Sequence, residues 1–188
     1  MRIATPSLVG DNNKYAILEL IKGGDGIGRE EIASALSLSA PAVSKNVGAL
    51  IEAGIIFEKG TAETQLGRKP ALLYFNSRLL YVISVEIMPQ GIRGALADFA
   101  GNVLAQEEAP SNVRDSVDAI LTAVYALIGR LYDARPSESK VACICAASPG
   151  CNENATFFNL ISTYQPSWAE VDIAACIEQR FGVRTVIR

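Results

Sequence analysis

Residues 29–53 constrain the fold most, because two amphipathic helical patterns there are joined by a turn of only three residues. The turn is Ser37-Leu38-Ser39, and Ser39 is a natural N-cap for the second helix. Pro41 then lies in the first helical turn, where its missing N–H breaks no hydrogen bond. The tract therefore predicts a helix-turn-helix, with helices over 29–36 and from Ser39 to about Ala53.

The patterns on either side extend this motif to a winged helix. A first amphipathic helix is predicted over 13–22, with Asp11 or Asn12 as its cap. After the third helix come a strand over 55–58, a polar loop and a second strand over 71–75. The order of three helices and a hairpin predicts a winged helix-turn-helix domain in residues 1–76.

After residue 76 the pattern changes to three strand runs, followed by alternating helices and strands. The turn Ala100-Gly101-Asn102 joins the second and third of these runs. This order predicts a mixed α/β layer domain in residues 77–188, so the chain is assigned to the α/β class. The predicted elements are strands over 80–87, 91–98 and 102–109, a helix over 116–132, a strand over 141–147, a helix over 171–181 and a strand over 183–187.

Charge bears on possible partners through its distribution along the chain. The net charge is −3, but residues 1–80 carry +1 and the remainder carries −4. The N-terminal part is thus only mildly basic. Binding to DNA would have to come from the local placement of a few side chains and not from bulk charge.

The N-terminal half of the third helix holds the first group of DNA-binding candidates, because a recognition helix inserts this half into the major groove. Small residues allow close approach, and hydroxyl, lysine and asparagine side chains can bond phosphates or base edges. A solvated helix face is the structural alternative. The candidates are Ser39, Ala40, Pro41, Ser44, Lys45 and Asn46.

The polar loop before the second strand holds the next group. Arg68 and Lys69 follow Gly67, and basic residues at a wing tip can enter the minor groove or contact phosphate. An ordinary basic turn is the alternative. Arg29, at the start of the second helix, is a weaker phosphate candidate.

The composition also predicts several absences. No apolar run reaches eighteen residues and no signal peptide is recognisable, so a cytoplasmic protein without a membrane span is expected. There is no histidine, and Cys143 and Cys145 alternate within an apolar strand. We expect the cysteines to be small buried hydrophobes kept reduced, with no metal site, cofactor or catalytic residue.

The chain from Asn12 to Pro70 resembles the N-terminal domain of the ROK family of repressors and sugar kinases. The last of the matching segments is the most specific, since the family's regulators commonly carry Gly-Arg-Arg/Lys-Pro there. The matching segments are 28–33, 38–44, 50–56 and Gly67-Arg68-Lys69-Pro70.

The resemblance continues more loosely beyond residue 76. Residues 81–87 look like the first strand of the family's sugar-kinase-like domain, and 97–104 look like its strand turn. Ser148-Pro149-Gly150 and Phe158-Asn159-Leu160 look like its sugar-side loops. The resemblance implies an actin-like, ribonuclease-H-like lobe with Gly150 and Asn159 as ligand-binding residues, Asn159 bonding sugar hydroxyls. A loop-capping asparagine is the alternative.

The chain departs from the family pattern in two places. Family kinases begin their ATP site with Asp-Ile-Gly-Gly-Thr, but residues 86–90 here are Glu-Ile-Met-Pro-Gln. Proline has no N–H to offer a phosphate, so an ATP cradle is not expected. The family's catalytic aspartate segment and zinc motif lie beyond the position matching Arg188, so the resemblance implies an incomplete, C-terminally truncated lobe.

These observations predict a non-enzymatic, sugar-responsive transcriptional repressor of carbohydrate genes. It would bind palindromic operator DNA as a homodimer, with the α/β domain carrying the effector site. Two alternatives stay open. One is a sugar kinase with a fused DNA-binding domain, and the other is a constitutive DNA-binding module without effector control.

Overall fold

The computed structural model describes residues 6–61, 71–88, 90–112, 114–147, 150–153, 156–159 and 171–187. The chain divides into two compact units, Met1–Ser77 and Arg78–Arg188, each with its own hydrophobic core. In the described part of the chain, no helix combines the length and the apolar character needed to cross a membrane.

The first unit has the predicted order of three helices and a hairpin. The strands of the hairpin, β1 and β2, are antiparallel, with Ile56 opposite Phe75. Ile27 adds a single bridge to Leu73 on the other side of β2. The elements are α1 (Pro6–Lys22), α2 (Arg29–Leu36), α3 (Ala40–Glu52), β1 (Ile56–Thr61) and β2 (Ala71–Phe75).

The start of α1 corrects the sequence prediction. The helix begins at Pro6 and not at residue 13, so Asp11 and Asn12 lie inside it and neither caps it. Asp11 instead pairs with Lys14 one turn further on, at 3.2 Å between carboxylate and ammonium. The sequence prediction began late because the apolar period of the sequence starts only at Ile17, and a proline start suits a helix N-terminus.

Side chains from all three helices and from β2 close the core of the first unit. Ile17, Ile32, Val43 and Leu73 are each fully buried in it. Buried residues at i, i+3, i+4 and i+7 along α3 fix the rotation of that helix, and with it the face that α3 turns outward.

The second unit is built on a five-stranded mixed sheet, which confirms the predicted α/β layer. The strand order is β5-β4-β3-β6-β9, with β3, β4 and β5 antiparallel and β6 and β9 parallel to β3. A separate hairpin is formed by β7 and β8. The elements are β3 (Tyr81–Met88), β4 (Gly91–Asp98), β5 (Val103–Ala109), α4 (Val117–Asp133), β6 (Val141–Ala147), β7 (Gly150–Glu153), β8 (Thr156–Asn159), α5 (Ile173–Phe181) and β9 (Thr185–Ile187).

Both described helices of this unit share one core with the sheet. Alternate residues of β3, including Ile83 and Val85, pack in a cluster with Leu127 of α4 and Ile177 of α5. Phe181 of α5 lies within 6.5 Å of the rings of Tyr125 and Tyr132. Since α4 and α5 contribute to the same cluster, they cover the same face of the sheet.

The cysteines of β6 lie on the opposite face, which corrects the expectation that they are buried core residues. Ile144 and Ala146 of β6 are fully buried, whereas Cys143 and Cys145 are only half-buried. A register irregularity between Tyr81 and Val82, opposite the start of β6, puts the larger aliphatic residues inward. Desolvation, with a smaller contribution from Cys145, raises the pKa of the Cys143 thiol, and Arg184 partly opposes this.

Candidate nucleic-acid interface

Helix α3 is held in place at its start and along its inner face. The Ser39 hydroxyl accepts a hydrogen bond from the backbone amide of Ala42 at 3.4 Å, which confirms Ser39 as the N-cap. Val43, Val47 and Leu50 are buried on the inner face. The rotation of α3 about its own axis is therefore set by the core and not by its polar residues.

The outward face of α3 carries most of the predicted DNA-binding residues. Five of the six are exposed: Ser39, Ala40, Pro41, Ser44 and Lys45. Gly48 is exposed on the same face, one turn beyond Ser44, and sequence analysis did not single it out. A Cβ at Gly48 would have no neighbour within 4 Å, so packing within the unit does not require glycine there.

Asn46 does not belong to this face, and its assignment as an adenine-binding residue is corrected. Only 7% of the residue is exposed, and its side-chain amide donates to the carbonyl of Ala42 at 2.8 Å. Because Asn46 lies three residues after Val43 and four before Leu50, it shares their inward direction. That spacing was visible in the sequence and could have identified Asn46 as a core-facing residue.

Arg29 is not a free cation in this structure. Its guanidinium lies 2.5 Å from the carboxylate of Glu58 on β1, with both side chains partly exposed. Arg29 also lines a depression of about 250 Å³ together with Ala40 and Ser44 of α3. The structure thus brings Arg29 beside the outward face of α3, but with its charge already paired.

The two described strands of the hairpin next to α3, β1 and β2, pair as the strands of a wing do. Phe57 and Tyr74 face each other across β1 and β2, with ring centroids 5.8 Å apart. Tyr74 also packs over Gly26, whose φ of +92° and lack of a Cβ allow the ring to approach. The predicted wing residues Arg68 and Lys69 lie outside the described residues.

In the second unit, the two predicted sugar-binding residues lie on neighbouring strands. Gly150 begins β7 and Asn159 ends β8, and the two are partners in the hairpin register. The side chain of Asn159, together with residues 148 and 149, lies outside the described part of the structure. Their assignment to a ligand therefore stays a prediction.

The end of β3 differs chemically from a phosphate cradle. Glu86 accepts a hydrogen bond from Nε of Arg93 on the adjacent strand at 2.6 Å, so its carboxylate is already paired. Both residues line an open groove of about 490 Å³ that also includes Ser84, Gln106 and Cys145. Within the described residues, no cluster of three or more His, Cys, Asp or Glu side chains could hold a metal ion.

Comparison with known proteins extends these observations. Residues 11–56 match the family model described as "Winged helix-turn-helix DNA-binding". The chain is 25% identical over 182 residues to the xylose repressor of Caldicellulosiruptor bescii, a match covering 96% of this chain and 45% of the relative. It is 23% identical over 190 residues to the xylose repressor of Bacillus subtilis, covering 100% of this chain and 48% of the relative.

A solved structure shares the fold along nearly the whole chain. It is described as a ROK family transcriptional regulator, a homolog of the E. coli MLC protein. The TM-score is 0.63 at 18% identity, and the match covers 95% of this chain and 45% of the other. The chain thus spans less than half the length of these relatives, and the fold it shares with the solved structure is a winged helix-turn-helix followed by a mixed α/β unit.

Proposed function

We propose that this chain is a transcriptional regulator of the ROK family and that it binds double-stranded operator DNA through the outward face of α3. The observation that carries the proposal is the rotation of α3. Its buried stripe turns Ser44, Lys45 and Gly48 outward together, beside a wing hairpin. A helix of this width that presents small and basic residues suits the major groove of B-DNA.

In this proposal, each exposed group has a distinct part. The Lys45 ammonium contacts a phosphate or a guanine, and the Ser39 and Ser44 hydroxyls bond phosphates or base edges. Arg68 and Lys69 contact the minor groove or the phosphates beside it. Gly48 leaves room for the helix to approach the groove closely.

We expect the chain to act as a repressor of sugar-utilisation genes in the cytoplasm and not as an enzyme. The curated relatives that match along nearly its whole length are named as xylose repressors, which supports this role. Kinase activity is not favoured, because Glu86 is paired with Arg93 and residues 88–90 are Met-Pro-Gln.

Effector control and dimerisation are the finer parts of the proposal. A sugar, with xylose the first to be tested, would bind the second unit near Gly150 and Asn159 and change the affinity for DNA. Two chains would contact two half-sites of a palindrome separated by about one helical turn. A constitutive DNA-binding module is the alternative, and it predicts no response to any sugar.

Selection from a randomised duplex library tests this function. The wild-type chain should enrich a defined sequence, and its affinity for that duplex should fall as salt concentration rises. Xylose titrated against the complex then separates effector control from constitutive binding. If no duplex is enriched and no salt-dependent binding is measured, the proposal is wrong.

A further inference from the structure

The ion pair between Arg29 and Glu58 is built by the backbone of the first unit. Ile27 pairs with Leu73 of β2 through two backbone hydrogen bonds, of 3.2 and 2.9 Å. Leu73 is in turn the register partner of Glu58 on β1. Since Arg29 follows Ile27 by two residues, this ladder holds the start of α2 near the hairpin, where the side chain of Arg29 reaches the carboxylate of Glu58.

The pair lies at the surface that the proposed function assigns to DNA. Arg29 lines the same depression as Ala40 and Ser44, and both of these belong to the outward face of α3. The side chains of Arg29 and Glu58 are 36% and 41% exposed, so a phosphate group has access to both. A carboxylate and a phosphate are alternative partners for one guanidinium.

The charge balance of this unit makes that competition important. Residues 1–77 contain eight lysines and arginines and eight aspartates and glutamates, so the unit has no net charge. Each cation near α3 is therefore a substantial share of the attraction for DNA, and Glu58 cancels the charge of one of them.

We infer that Glu58 sets the DNA affinity of this domain by occupying Arg29 in the free protein. On binding, a backbone phosphate takes the place of the carboxylate as the partner of the guanidinium, and Glu58 remains nearby as a repulsive charge. Every duplex meets this opposition. Because the opposition is the same for every duplex, Glu58 lowers the affinity for operator and for unrelated sequences by the same factor. The inference rests on the proposed function, because it requires α3 to face DNA.

Substitution Glu58→Gln tests the inference with the full chain. The probes are a duplex selected by the wild-type chain from a randomised library and a scrambled duplex of the same composition. Affinity for both should rise by about fivefold at low salt, the factor expected for one unit charge about 4 Å from another in water. The slope of log affinity against log salt concentration should become steeper by an amount that corresponds to about one more counterion released on binding. Glu19→Gln, which removes an exposed charge from α1, is the matched control and should change neither quantity.

A double-mutant cycle identifies Arg29 as the residue through which Glu58 acts. In an Arg29→Ala background, Glu58→Gln should lose most of its effect on affinity. An equal gain with and without Arg29 would overturn the inference, as would an unchanged affinity in folded Glu58→Gln. Thermal melts establish that each variant is folded. If the wild-type chain binds no duplex at all, the proposed function fails, whereas wild-type binding that Glu58→Gln leaves unchanged refutes only the inference.

Discussion

The side-chain amide of Asn46 donates a hydrogen bond to the carbonyl of Ala42 at 2.8 Å, within the buried side of α3. The adjacent residue, Lys45, is exposed on the opposite side of the same helix. Two neighbouring polar residues of the proposed recognition helix therefore have different roles: one belongs to the core and the other is available to DNA.

Alanine substitution at these two positions should give opposite results. Lys45→Ala should leave the melting temperature nearly unchanged and weaken DNA binding by about 1–3 kcal/mol, the usual value of a specific base contact. Asn46→Ala should shift the melting temperature and leave the affinity of the folded protein within about twofold, since a buried group makes no contact with DNA. Thermal melts and fluorescence anisotropy measure both quantities. A loss of affinity in well-folded Asn46→Ala would show that Asn46 does contribute to the DNA interface.

At Gly48, helix stability and DNA binding are expected to favour different residues. Alanine at this open helical position should stabilise the first unit by about 1 kcal/mol, because glycine is a poor helix former. The same methyl group should weaken DNA binding if α3 approaches the groove closely. Gly129→Ala in α4, where a Cβ also has no neighbour within 4 Å, is the matched control. Gly129→Ala should stabilise the second unit without changing the affinity for DNA. If the Gly48→Ala and Gly129→Ala variants bind DNA with equal affinity, α3 does not approach the groove closely at Gly48.

The helix cap at Ser39 provides another paired comparison. Ser39→Ala removes the hydrogen bond to the amide of Ala42 and should destabilise the first unit by about 1 kcal/mol. Ser116→Ala removes the corresponding bond to Ala119 at the start of α4, at a similar cost to the second unit. We expect only Ser39→Ala to weaken DNA binding in protein that is still folded. If both variants, or neither, bind DNA less tightly, Ser39 has no role at the interface beyond capping.

The sequence predicted the helices and strands well where local pattern alone decides them. The bounds of α2, β2, β4 and β6 agree residue for residue, since each has a clear apolar period between strong turn signals. The start of α1 was missed because its first turns lack that period. The pairing of Arg29 with Glu58 depends on the ladder from Ile27 through Leu73, and such contacts between distant parts of the chain leave no trace in local periodicity.

The thiol of Cys143 makes the stability of the second unit sensitive to alkaline pH. Burial raises the pKa of this thiol above its ordinary value of 9.0, so the folded state binds the proton more tightly than the unfolded state does. The stabilising contribution of the protonated thiol to the free energy of unfolding is fully present below about pH 9, where the unfolded thiol keeps its proton. That contribution is lost as pH rises through the raised pKa of the folded state. Melts of the wild type and of Cys143→Ser between pH 8 and 10.5 should show a smaller alkaline loss in the variant. Parallel curves would show that Cys143 does not contribute.

Dimethyl sulfate footprinting on a selected duplex tests most directly whether the outward face of α3 enters the major groove. The reagent methylates guanine N7, which lies in that groove, so bound wild-type protein should protect specific guanines. Lys45→Ala should lose protection at one or more of them, while Asn46→Ala should keep the full pattern. Bound protein that leaves every guanine N7 reactive would contradict the account.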